Sequence, residues 1–228
     1  MENNLKRVCF SILVKDNDEE IIDRGTGFFI NDKGNFLSVG HVFKHKNCTF
    51  SAIIDGEPSE YIITEIYNEY IPQDEITSVT YKDLYVGKIS MSPEAHLALM
   101  IETVSASSQV TMAGFNKIPN EGLIMSQEDL FNEDLMNENS VFFNTYETKI
   151  NDQKHHKTNR TTGEYYFMDN IYSVDSVGAR VRGISGGPLV IDSACIGIVN
   201  NPVECVNSKY ITDKLVSLGI PFTPCRKV

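Results

Sequence analysis

The stretch Gly183-Ile184-Ser185-Gly186-Gly187-Pro188 decides how the rest of this chain is read. A serine held between glycines can sit on a tight turn with its hydroxyl exposed. Glycine at 183 lets the peptide swing into an orientation that side chains disfavour. The backbone N–H groups of Gly183 and Ser185 can then converge on one point, and paired donors of that kind stabilise a developing oxyanion. With ordinary Gly, Ser and Pro usage the pattern arises by chance in well under ~0.1% of chains this long, which weighs against a plain turn before a strand. A hydroxyl is a weak nucleophile until a base removes its proton. His41, at the end of Phe36-Leu37-Ser38-Val39-Gly40-His41-Val42, can supply that base.

Between and around these motifs the dominant period is two. Val8, Phe10, Ile12 and Val14 alternate with Cys9, Ser11 and Leu13, and similar short runs recur at 28–30, 36–39, 50–54, 61–66, 84–89, 109–115, 140–146, 165–168, 189–191 and 195–199. Polar turns such as Asn31-Asp32-Lys33-Gly34-Asn35 separate them. About a dozen such strands predict an all-β barrel or sandwich. Helical spacing is confined to 127–137 and to 209–218, where Ile211, Leu215 and Leu218 fall on one face before Gly219. The polar stretch 151–163, NDQKHHKTNRTTG, is expected to be an exposed, solvated loop. The segment 103–108, TVSASS, divides the chain into two β units, 1–104 and 105–228.

Composition removes other functions. The 228 residues carry 20 Lys and Arg against 31 Asp and Glu, a net charge of −11, which repels phosphate backbones and disfavours a nucleic-acid partner. No apolar run approaches the ~20 residues that span a bilayer, and no apolar signal core follows residues 1–7. The expectation is a cytoplasmic protein with no membrane partner. The five cysteines are odd in number and lack CxxC spacing, so reduced thiols are expected rather than a disulfide framework or zinc ribbon. His155 and His156 are adjacent rather than spaced as a tetrahedral clamp, so neither a metal nor any other cofactor is expected.

Gly25-Thr26-Gly27-Phe28, the following hairpin, the strand ending Ser38-Val39-Gly40-His41-Val42 and the serine motif resemble, in that order, the trypsin/chymotrypsin-like serine peptidases. That family carries G-T/S-G-F, T-A-G/A-H-V/C and G-D/N-S-G-G-P at these places. The resemblance is to the bacterial-type, intracellular members. It implies two antiparallel six-stranded β-barrels with a C-terminal helix, the active site lying in the cleft between them. It makes His41 the general base and Ser185 the nucleophile, with Gly183 and Ser185 forming the oxyanion hole. An acid heading a strand between them completes the family's triad. Asp83-Leu84-Tyr85-Val86-Gly87-Lys88-Ile89 fits, 42 residues after His41. His96-Leu97-Ala98-Leu99-Met100 matches the tail of that motif but has His at the acid's place. Leu97-Ala98-Leu99 and Val110–Phe115 then match the family's following segments, so the resemblance makes Asp83 the acid, with Asp74 and Glu75 as secondary candidates.

Several positions depart from the family. Ile184 replaces the acid that pairs with a freed N-terminus in secreted members, so activation by N-terminal cleavage is not expected. Ala179, six residues before the nucleophile, corresponds to the base of the primary specificity pocket and implies no preference for Arg or Lys. Asn200-Asn201-Pro202 corresponds to the edge strand that pairs with substrate backbone, and Pro202 removes one N–H donor there. The expected function is therefore a serine endopeptidase acting on a polypeptide substrate, with an activating or regulatory protein partner to control it. The alternative is a catalytically silent trypsin-like fold acting as a peptide-binding or regulatory module.

Overall fold

A computed structural model of the chain describes residues 2–54, 60–116, 142–177 and 183–226. The helix expected at 127–137 and the residue Ala179 lie outside them. Seven strands build a first sheet: β1 (Cys9–Lys15), β2 (Ile21–Phe29), β3 (Asn35–Ser38), β4 (Thr49–Ile53), β5 (Glu60–Ile62), β6 (Thr64–Tyr70) and β7 (Asp83–Lys88), in the order β5-β4-β1-β2-β3-β7-β6. It is a half barrel, preceded by a short helix, α1 (Glu2–Val8). Its core gathers around β1, which is buried on both faces from Cys9 to Val14: Phe10 is fully buried and its ring packs on Phe29 and Phe36 at 4.9 and 5.0 Å. Gly27 makes room for that ring, since a Cβ there would sit 2.5 Å from it. The second glycine of the Gly-Thr-Gly-Phe motif thus serves packing.

The second sheet contains β8 (Ala98–Met100), β9 (Gln109–Asn116), β10 (Phe142–Asp152), β13 (Ile171–Val174), β14 (Pro188–Ile191), β15 (Ala194–Asn201), β16 (Glu204–Asn207) and β17 (Pro224–Cys225). Because β14 pairs with both β9 and β15, six of these close into a barrel, β14-β9-β10-β13-β16-β15, with β8 and β17 appended in parallel. The mostly β architecture agrees with the sequence. So does the C-terminal helix, α2 (Ser208–Ser217), capped by Asn207 Oδ1 accepting the Tyr210 N–H at 2.9 Å. It buries Ile211 and Leu215, and Gly219 follows it at φ +67°. No helix among the described residues is long and apolar enough to cross a membrane.

Three local expectations change. Residues 2–8 form a helix that the sequence did not indicate, and Val8, read with the first strand, is its last residue. The run 61–66 is split at Ile63 into β5 and β6. The stretch 151–163 is not a solvated loop: it completes β10 and then forms β11 (His155–Thr158), which pairs with β12 (Tyr165–Met168). Asn159 explains why a polar sequence folds here. Buried at 3% exposure, it accepts the N–H groups of Thr161 and Thr162 and donates to the Ile76 carbonyl, fixing the hairpin turn against the half barrel.

The two β units are tied directly. Leu97 N–H bonds the Phe29 carbonyl just before β8 enters the second sheet. Tyr81 and Asn170 exchange two hydrogen bonds, Tyr81 N–H to Asn170 Oδ1 at 2.8 Å and Asn170 Nδ2 to the Tyr81 carbonyl at 2.7 Å. Thr26, on β2, reaches across to the serine turn.

Candidate active site

His41 sits on a single 3-10 turn, Gly40–Phe43, directly after β3. Gly40 permits the turn to press on β6, because a Cβ would meet Asn68 Oδ1 at 2.8 Å and Tyr70 Cβ at 3.0 Å. Asp83 opens β7 opposite Tyr70. Its side chain is fully buried, and both oxygens are engaged by one residue: Oδ1 accepts the His41 backbone N–H at 2.8 Å, and Oδ2 lies 2.8 Å from His41 Nδ1. A buried carboxylate is costly unless paired, and here the pairing also selects a tautomer. With Nδ1 carrying the proton, Nε2 is left to accept one. The imidazole side chain is 23% exposed.

Ser185 occupies the turn leading into β14. Gly183 and Gly186 take φ +106° and +90°, conformations that only glycine adopts cheaply. A Cβ at Gly187 would fall 1.9 Å from the Ala113 carbonyl oxygen, so a third glycine lets the turn lie against β9. Thr26 braces this turn. Its N–H donates to the Ser185 carbonyl at 2.8 Å, and its hydroxyl donates to the Gly183 carbonyl and accepts the Phe115 N–H, both at 2.9 Å. No acceptor among the described residues takes the N–H of Gly183 or Ser185. Ser185 Oγ donates to the Asn200 carbonyl at 3.1 Å.

A cavity of about 560 Å³ opens beside these groups, with His41, Tyr70, Tyr81, Asn200 and Asn201 in its lining. The structure thus brings His41 and Asp83 into contact and sets Ser185 on Asn200, which borders the same cavity as His41. Asp74 also lines the cavity, whereas His96 bonds Thr223 Oγ1. Burial, then the charge of Asp83, pushes the Tyr81 phenol well above the ordinary tyrosine range. All five cysteines are free, and burial raises the Cys195 thiol to about 12, so it is an inert core group.

Sequence reasoning did not find Glu204, Lys157 or Arg160. Glu204 accepts Asn201 Nδ2 at 2.6 Å and pairs with Lys157 Nζ at 2.7 Å and His155 Nε2 at 3.1 Å, joining β11 to the Asn200–Asn201 segment. Lys157 also lies 3.8 Å over the Tyr81 ring. The available signal was the run of bases in 151–163 of an acidic chain, which marks a segment with a local task.

No protein-family model and no curated protein matches this chain by sequence. Solved structures do match its fold. The active form of the Rv3671c protease from M. tuberculosis superposes with a TM-score of 0.65 at 16% identity, covering 97% of this chain and 87% of that one. An inactive form carrying a serine-to-alanine mutation, from strain H37Rv, gives 0.61 at 14% over 97% and 94%. A further inactive form gives 0.58 at 15% over 92% and 88%. The chain has the chymotrypsin-like protease fold.

Proposed function

We propose that this protein is a serine endopeptidase in which Ser185 is the nucleophile, His41 the general base and then the general acid, and Asp83 the residue that orients the imidazole. The observation that carries this is the two-point grip of a fully buried Asp83 on His41, in a cavity bordered by the residue that Ser185 touches. In this mechanism the Ser185 hydroxyl must leave the Asn200 carbonyl and donate to Nε2 instead. Attack on a substrate carbonyl then forms the C–O bond while Nε2 takes the hydroxyl proton. The new oxyanion meets the N–H groups of Gly183 and Ser185. Collapse breaks the C–N bond, with His41 returning the proton to the leaving amine, and water cleaves the resulting ester by the same route.

A fluorophosphonate probe tests this. It should label Ser185 in the wild type and fail in Ser185→Ala and His41→Ala, and turnover of a cleaved polypeptide should fall about 10⁴–10⁶-fold in either variant. Cleavage that survives Ser185→Ala would refute the assignment. A second reading, a silent peptide-binding module, is favoured by one contact: the serine hydroxyl donates to Asn200 rather than to His41. Absence of labelling in the wild type would support it.

A further inference from the structure

The whole chain is acidic, 31 carboxylates against 20 basic side chains, yet the cavity beside His41 reverses that balance. Three of its twelve lining residues are Lys44, Lys157 and Arg160, against a single carboxylate, Asp74. The cations are not equivalent. Lys157 is 8% exposed, neutralised by Glu204 and laid over Tyr81, so its charge is committed to the wall. Lys44 and Arg160 are exposed and have no acidic partner among the described residues. Nor is Arg160 merely adrift on a loop. It follows Asn159, whose buried amide fixes the hairpin turn to the half barrel, and Gln73 Nε2 holds the Thr158 carbonyl at 3.2 Å just before it. A rigid turn thus presents a guanidinium to the cavity, which reduces the ordering cost of binding there.

We infer that this cavity receives an acidic side chain of the bound polypeptide, recognised by Lys44 and Arg160. The inference deepens the peptidase reading, since Asn200 and Asn201 line the cavity next to the proposed nucleophile. An Asp or Glu within a few residues of the reacting bond would reach it. Guanidinium geometry suits a carboxylate in particular, through paired N–H donors.

The test uses full-length Ser185→Ala protein and fluorescent peptide pools bearing either Asp and Glu or Asn and Gln around a fixed core. Fluorescence polarisation should show the acidic pool binding about three- to tenfold more tightly at low salt, with the advantage shrinking as ionic strength rises. Adding Lys44→Glu and Arg160→Glu should abolish or invert the preference. Equal affinity for the two pools, no measurable binding of either, or a preference that survives the double reversal overturns the inference. Fluorophosphonate labelling of the wild type judges the peptidase reading separately, so acid-selective binding by an unlabelled protein would leave the inference standing and that reading refuted.

Discussion

At the scale of single residues, the proposed mechanism depends most sharply on Asp83. Both of its oxygens accept hydrogens from His41. An asparagine would keep the shape but offer an NH₂ to one of those hydrogens, favouring the tautomer with its proton on Nε2. Asp83→Asn is therefore expected to fold and to lower turnover by about 10⁴-fold; a variant with near wild-type activity would remove Asp83 from the mechanism. Much at this scale was legible in the sequence, because His41 and the serine turn are set by short motifs whose glycines have local steric duties at 183, 186 and 187. Arg160 and Glu204 were not legible, because their importance comes from contacts between segments far apart in the chain.

At the scale of elements, the serine turn is held by a strand of the other β unit. Thr26 supplies a backbone donor, a hydroxyl donor and a hydroxyl acceptor to it and to β9. Thr26→Val keeps the branched shape but leaves the Phe115 N–H and the Gly183 carbonyl without their partner, at about 1–3 kcal/mol for each group left buried and unpaired. Urea unfolding should show that loss, Thr26→Ser should restore most of it, and fluorophosphonate labelling should slow in the valine variant. Unchanged stability in Thr26→Val would show that the brace is not needed. The strands themselves were readable wherever large apolar residues recur at every second position, as at Phe10, Ile12 and Val14 in β1. They were missed at β11 (HHKT), β13 (IYSV) and β16 (ECVN), where polar residues break up the apolar run that marks the equally short 165–168 and 189–191. The turn that makes β11 possible depends on one buried asparagine, a contact invisible to pattern.

For the whole molecule, burial raises the phenols of Tyr81, Tyr85, Tyr172 and Tyr210, with Tyr172 pushed up to about 12. An unfolded tyrosine ionises near 10. A group whose folded value is raised adds stability that is intact below its unfolded value and lost as pH climbs toward the folded one. The protein should therefore hold its stability up to about pH 10 and lose it above, with tyrosinate absorbance at these sites rising together with loss of circular dichroism. Ionisation of all ten tyrosines near pH 10 with the fold intact would contradict the burial argument. The ties between half barrel and barrel carry a different consequence. They lie at the cleft itself, through Tyr81 with Asn170 and through Thr26 with the serine turn, so its walls cannot swing apart without surrendering paired backbone groups. A slot of fixed width admits a slack strand far more readily than a compact surface. If the peptidase reading holds, the natural prey of this protein is a dangling tail or a chain already coming undone.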